Sequence, residues 1–453
     1  NFTQGNYSEV SIQLTPLSEG ATLSVNGSSE QLSSFNPFES SLHETNYILA
    51  LDDVSYGSDI TFLVEFFKNE YSFYEQEVVL ALIPPADNYP VAPNNFGYWA
   101  YDDTDEGYEQ TPVFEWVELI TDDTPCTEAA FVGCGPDLAR GYLDRWVGNA
   151  NPSYEHAVTY FEGVMLGYGL DRVEVHRFQS NTAWSVNICG YKTGSVYPDE
   201  WLIFGAHFDI APPVAYTPGA EIGIPGYGTR HGAYDNAAGS SMVLSTASVL
   251  AEFDARRTMV FCLWSSEEEG LWGSRSFAGD IPDGVTVSNY LNLDMAGVNY
   301  PGDYALSVYL GPDGTGEEID QPGMYYLAEW IGADALDLGY EMERGREAWL
   351  ESGESPLWDD IYEDTVAIYE SPTARSDHES FQNIGVATLG WNGLVDGYPC
   401  YHRECDTMET MIEYMGTDDS TGINNLVHSW DIITWWAVYA FLHMDQTPVP
   451  NEL

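Results

Sequence analysis

The sequence predicts two folds in series: a small antiparallel β-sandwich over residues 1–90 and, beyond an acidic and aromatic connector over 91–135, an α/β domain over 136–453. Three observations lead there. Residues 1 to about 90 alternate apolar and polar side chains in SEVSIQL, ATLSVNG, DITFLVEFF and QEVVLALI, between Gly, Asn, Ser and Pro turns; a period of two is that of half-buried strands. Pro84, Pro85, Pro90 and Pro93 then break the pattern. From about 136 onward, apolar runs of strand length alternate with helical spacing, which predicts a mixed or mainly parallel sheet covered on both faces.

In the connector, YWAYDDTDEGYEQTPVFEWVELI sets aromatics around an acidic loop. Asp102, Asp103 and Asp105 are able to hold a calcium ion, although a solvated loop is the simpler account. Further on, SYEHAVTYFEGVMLGY (153–168) has helical spacing, VEVHRF and SVNICGY read as strands, and EWLIFGA is a buried strand. Ala237 to Phe253 follows as an amphipathic helix, then TMVFCLW and SNYLNLDM as buried strands. The apolar run Ile432 to Met444 falls short of the roughly 18–20 residues a membrane span needs, so it reads as a buried terminal helix.

The chain carries 72 Asp plus Glu against 14 Lys plus Arg, a net charge of −58, and its only lysines are Lys68 and Lys192. Nucleic acid and anionic membranes need a basic surface and are excluded as partners. Such a surface is expected of a halophilic protein, because concentrated salt screens the self-repulsion; acidity kept for solubility explains it nearly as well. The screening account has a direct test. The melting temperature should rise between low and molar NaCl, by about 2 to 4 °C for each kcal/mol of repulsion relieved; a flat or falling curve leaves acidity as a solubility feature.

Six cysteines are too few for a disulfide scaffold. Cys126 and Cys134 flank one short loop, and Cys400 and Cys405 another. Cys189 and Cys262 lie in apolar runs, where a buried free thiol is the default reading. Glycosylation sequons at Asn1, Asn6 and Asn26, together with the paired cysteines, favour an oxidising, extracellular setting. The chain therefore reads as the mature form of a secreted protein.

Three apolar runs stop at acidic residues or histidine, and in α/β folds ligands bind beyond the carboxyl ends of the strands. After WLIFGA come His207 and Asp209, whose side chains share one face two residues apart. One imidazole nitrogen can then bind a metal while the carboxylate holds the other. After MVFCLWSS come Glu267 and Glu268, and after SNYLNL comes Asp294. Asp235, in GAYDNAAGSS, stands at the mouth of a helix. Taken singly, each is more simply a packed histidine or a solvated carboxylate. Together they are costly unless a cation compensates them, and His402 in PCYHRECDT can complete such a site. That stretch also reads as a disulfide loop; a zinc finger is excluded, since no second Cys/His pair lies at suitable spacing.

GAHFD, GAYDNAAGS, WSSEEEGLWGS, NLDM, RSDHESF and GYPCYHRECDT follow one another in an order that resembles the co-catalytic zinc aminopeptidases of metallopeptidase family 28, over roughly 310 residues. The resemblance implies a three-layer α/β sandwich around an eight-stranded mixed sheet, the zinc exopeptidase fold, with two zinc ions in a surface cleft. It makes Asp235 the carboxylate between the metals, with His207 and Asp294 completing one zinc site and Glu268 and His402 the other. Glu267 becomes the general base, Asp209 the partner of His207, and Tyr401 a donor to the oxyanion. Cys400 and Cys405 then close a disulfide that fixes the loop presenting Tyr401 and His402.

His378 is a competing ligand, but the Tyr-His pair favours His402. Arg375, Asp377 and His378 are candidate substrate contacts, with a structural role for Asp377 near His402 as the alternative. Residues 301–372 are expected to form loops over the cleft. The implied reaction is hydrolysis of peptide substrates, and a negative rim favours a cationic amino end, hence an aminopeptidase. A carboxypeptidase of the same family, a single-zinc glutaminyl cyclase and a non-catalytic relative stay open as alternatives.

Overall fold

A computed structural model of the chain describes residues 7–18, 21–24, 30–35, 48–51, 59–68, 71–81, 112–126, 134–181, 183–213, 228–298, 307–309, 323–324, 327–328, 331, 341–344, 365–369, 375–393, 398–416 and 418–451. The sequons and the acidic triplet Asp102, Asp103 and Asp105 lie outside them. The chain divides into two compact units, Asn1–Tyr89 and Pro90–Leu453.

The first unit holds strands β1 (Tyr7–Pro16), β2 (Ala21–Ser24), β3 (Glu30–Phe35), β4 (Ile48–Leu51), β5 (Asp59–Lys68) and β6 (Tyr71–Ala81). They form a four-stranded antiparallel sheet in the order β3-β1-β5-β6 and an antiparallel pair β2-β4. The alternation works as a face code in β5, where Ile60 and Phe62, two apart, are both buried.

The second unit opens with helix α1 (Pro112–Thr121), inside the segment read as a connector. Val113, Phe114, Val117 and Ile120 bury one helical stripe. Next come α2 (Pro152–Gly167), β7 (Arg172–Gln179), β8 (Trp184–Lys192) and β9 (Tyr197–His207). Then follow α3 (Ala238–Leu250), β10 (Arg257–Trp264), α4 (Trp272–Gly279) and β11 (Thr286–Leu293). The chain continues through β12 (Ser307–Tyr309), β13 (Glu341–Arg344), β14 (Thr365–Tyr369), α5 (His378–Gln382) and β15 (Thr388–Asn392). It closes with α6 (Met408–Met415) and α7 (Asp419–Gln446). No helix among the described residues is long and apolar enough to cross a membrane.

These strands make one mixed sheet in the order β13-β14-β12-β15-β11-β9-β10-β8-β7. Strands β15, β11, β9 and β10 run parallel, so their carboxyl ends lie side by side; Trp264 pairs with His207 in register. Both faces are covered, which is why these strands read as unbroken apolar runs. On one face Trp201, Ile203, Val260, Trp264 and Tyr290 pack with Phe277 of α4 and Phe381 of α5. On the other, Phe204 and Phe261 rest against Phe441 of α7, with ring centroids 6.0 and 5.6 Å apart.

Three expectations need correction. The described sheet has nine strands where the resemblance implies eight, and β12, β13 and β14 come from the segment read as loops. Strands of three to five residues are too short for periodicity to register. Cys189 and Cys262 are not free thiols. They stand directly opposite each other on the antiparallel pair β8 and β10, with Cα atoms 4.2 Å apart, and form a disulfide. Cys126–Cys134 and Cys400–Cys405 are also bonded.

Candidate metal centre

Five segments converge beyond the carboxyl ends of the central strands. His207 ends β9, and its Nε2 lies 3.2 Å from Asp235 Oδ1 and 3.4 Å from Asp294 Oδ1, just past β11. His402 Nε2 lies 3.2 Å from Asp235 Oδ2 and 2.9 Å from Glu268 Oε2, past β10. Two ligand groups result, His207-Asp235-Asp294 and Asp235-Glu268-His402, with the ligand atoms of each within 4.8 Å of one another. They share Asp235, one oxygen facing each histidine.

Local backbone explains the convergence. Asp235 sits in a turn, Ala233–Ala237, that leaves helical geometry at Asp235 (φ −114°, ψ 88°) before α3 begins. Asn236 ties that turn to the neighbouring strand end, since its Nδ2 donates to the Leu293 carbonyl at 2.8 Å. Ser266 adopts φ 57°, turning the chain between β10 and the glutamates. His402 itself has φ 53°, a left-handed conformation that costs a non-glycine residue of order 1–3 kcal/mol and persists only when its surroundings hold it. The Cys400–Cys405 disulfide closes around it, and its carbonyl accepts from Gly228 N at 2.8 Å.

The electrostatics favour a cation. Burial opposes charge on His402, yet Glu268 and Asp235 carry its pKa up to about 12. Burial likewise opposes charge on His207, but Glu267 and Asp294 with the Asp209 and Asp235 hydrogen bonds raise it well above its ordinary value. Burial pushes Asp235 up too, but both imidazoles hold it well below the carboxylate range. Glu268 is pushed up to about 7 by burial, with His402 opposing and Asp235 adding to the rise. Its Oε1 is buried with no hydrogen-bond partner among the described residues. An unpaired buried carboxylate oxygen beside histidine nitrogens is the donor chemistry that suits zinc.

The other expected residues fall into two sets. Burial lifts the Glu267 carboxyl well above the usual range; His207 opposes this, while Asp294, Glu268 and Asp377 add to it. Tyr401 packs against His402 with ring centroids 3.8 Å apart and the planes tilted by 30°, and its hydroxyl accepts from Arg375 Nη2 at 3.3 Å. Asp209 reaches His207 differently from the expectation. Its main-chain carbonyl lies 3.1 Å from Nδ1, its carboxylate 3.7 Å away, and Oδ1 accepts from Glu267 N at 3.3 Å. Asp377 is buried and pushed up to about 7 by burial, with His207 opposing the rise and Asp294 and Asp209 adding to it. His378, buried at the start of α5, belongs to neither ligand group among the described residues.

Sequence reasoning gave no role to Arg145 or Asp406. Both are fully buried. A buried arginine in a chain with 14 basic residues is itself a signal, and Asp406 lies inside the stretch already singled out for His402.

Residues 187–424 match the model of peptidase family M28, and the chain belongs to that family, whose members are zinc-dependent metallopeptidases. It is similar to the glutamate carboxypeptidase 2 homolog of Caenorhabditis briggsae, 26% identical over 280 residues that cover 58% of this chain and 31% of the relative. It is also similar to leupeptin-inactivating enzyme 1 of Streptomyces exfoliatus, 29% identical over 278 residues, covering 56% and 50%. The chain thus matches half or less of the length of these curated relatives. Among solved structures, the LapA aminopeptidase of Legionella pneumophila aligns at 15% identity and a TM-score of 0.46, covering 73% of this chain and 70% of that one.

Proposed function

We propose that the protein is a secreted dinuclear zinc exopeptidase that removes residues from the amino end of peptides, with its catalytic domain preceded by a small β-sandwich. The observation that carries this is the sharing of Asp235 by two ligand groups: His207 and Asp294 would hold one zinc, Glu268 and His402 the other, with Asp235 belonging to both groups. Zinc bound by these residues would supply Lewis acidity, to lower the pKa of water and polarise the scissile carbonyl.

The chain's own groups do the rest. Glu267 takes the proton of the attacking water and delivers it to the leaving nitrogen as the carbon–nitrogen bond breaks; its raised pKa suits both transfers. Tyr401 donates its hydroxyl proton to the carbonyl oxygen as that oxygen gains charge. Because Arg375 donates to the same phenol oxygen, the Tyr401 proton is left to point elsewhere. We assign contact with the substrate to Asp377 and His378.

The amino-end preference follows from the chain's large negative charge, which attracts a cationic terminus. Arg375, an exposed cation beside Tyr401, supports a second reading in which a substrate carboxylate is bound. A panel of peptides with free and blocked termini decides between them. Cleavage that requires a free amino end supports the first; cleavage that requires a free carboxyl end supports the second and overturns the first.

His402→Ala is expected to leave one zinc per chain, on His207 and Asp294, whereas His378→Ala keeps both. The reverse pattern in metal analysis places the ligand on the wrong histidine. Changing Cys400 and Cys405 to serine should lower zinc affinity and kcat far more than Tm. The bond spans a sequence separation of 5, so its loop-closure contribution is small, while a 1 Å displacement of a reacting group can cost about a hundredfold. A Tm loss without a catalytic one makes the loop a structural staple.

A further inference from the structure

Asp235 serves both ligand groups, so the turn that carries it sets the geometry of both. Two charged side chains from distant parts of the chain hold that turn. Arg145 Nη1 donates to the His231 carbonyl at 2.5 Å and Nη2 to the Gly232 carbonyl at 2.8 Å. Its Nε donates to the Phe208 carbonyl at 2.6 Å, one residue beyond His207, and Nη1 also reaches Tyr142 O at 3.4 Å. Asp406 supplies the opposite polarity. Its Oδ1 accepts from Tyr234 N at 2.9 Å and from the Tyr398 hydroxyl at 3.2 Å, and its Oδ2 accepts from Asp235 N at 3.0 Å. Its carbonyl accepts from Ala233 N at 3.3 Å.

Gly232, at φ 57°, leaves no room for a side chain, since a Cβ there would run into Ile210 Cγ2 and would meet the Asp235 carbonyl at 2.6 Å and Arg145 Nη2 at 3.0 Å. Both charged groups are 0% exposed. Burying a guanidinium and a carboxylate is expensive, and hydrophobic residues of similar volume often stabilise a core better. A rigid planar fork matched to three or four carbonyls, and a carboxylate matched to consecutive N–H groups, instead fix backbone position.

We infer that Arg145 and Asp406 are positioning residues: one holds the carbonyls of residues 231–232, the other the N–H groups of 233–235, and together they place Asp235 between the two zinc sites. The inference rests on the proposed role of Asp235 as shared ligand. Arg145 also links this turn to the strand end of His207, and Asp406 links it to the loop of His402.

The test compares Asp406→Asn with Asp445→Asn. Asp445 is an equally buried carboxylate that accepts consecutive N–H groups, from Arg256 at 3.0 Å and Arg257 at 2.7 Å, at the opposite end of β10 from the site. Zinc affinity is read by competition with a chromophoric chelator, and amide exchange is read in chelator-treated protein. Asp406→Asn should weaken zinc about 10- to 100-fold, the usual effect of losing an outer partner of a metal site. It should lower kcat with little change in KM and speed exchange at Tyr234 and Asp235. Asp445→Asn should lose comparable Tm yet bind zinc like wild type. Arg145→Lys, which keeps the charge but loses the fork, should reproduce the zinc and exchange effects and serves if Asp406→Asn does not fold.

Unchanged exchange at Tyr234 and Asp235 overturns the clamp whatever the zinc result. Equal zinc loss in Asp445→Asn reduces it to general stability and also overturns it. A wild-type chain that binds no zinc overturns the proposed function, while the exchange comparison still decides the clamp.

Discussion

Glu267→Gln should keep both zinc ions and the melting temperature of wild type while losing at least about a hundredfold in kcat, the scale of a positioned acid-base group. The expectation follows from where the carboxyl sits. Burial raises its pKa, and Asp294, Glu268 and Asp377 add to the rise while His207 opposes it, so the carboxyl is a better proton acceptor than an ordinary glutamate. Glutamine has the same shape and cannot take the proton. Metal analysis and turnover on the same preparation check the result; near-normal turnover with zinc bound removes Glu267 from the mechanism.

Asp235→Ala should act more broadly. Each ligand group loses a member at once, because Asp235 is the residue common to both. Zinc content is expected to fall from about two to below one per chain, and hydrolysis by at least about a hundredfold. His402→Ala, by contrast, touches one group. If Asp235→Ala retains two zinc ions, the sharing is incidental and the two sites are independent.

Much of this site was legible because its chemistry stands where apolar runs stop. His207, Glu267 and Asp294 follow buried strands that the sequence displays as unbroken hydrophobic stretches, and parallel pairing brings those ends together. His402 required more than local pattern, since its loop joins the site only through tertiary contacts such as that from Gly228 N. Asp209 shows a different limit: sequence places it beside His207 but does not say that the main-chain carbonyl makes the closer contact.

What sequence did not show depends on register and burial. Cys189 and Cys262 are 73 residues apart, and only the alignment of β8 with β10 sets them face to face. Arg145 and Asp406 carry no periodic signal, because each is defined by the backbone atoms it holds rather than by its neighbours in the chain. The short strands β12, β13 and β14 gain their place from pairing with β15 and with one another, where intrinsic preference counts for little.

The proposed hydrolysis of peptides at a two-zinc site makes activity depend on metal stoichiometry. Chelator-stripped protein titrated with zinc, while hydrolysis of an aminoacyl anilide is followed, tests it most directly. Activity is expected to reach its plateau at about two zinc ions per chain, as a co-catalytic pair requires. A plateau at one zinc, as for a cyclase-like site, or activity that does not depend on zinc at all, would contradict it.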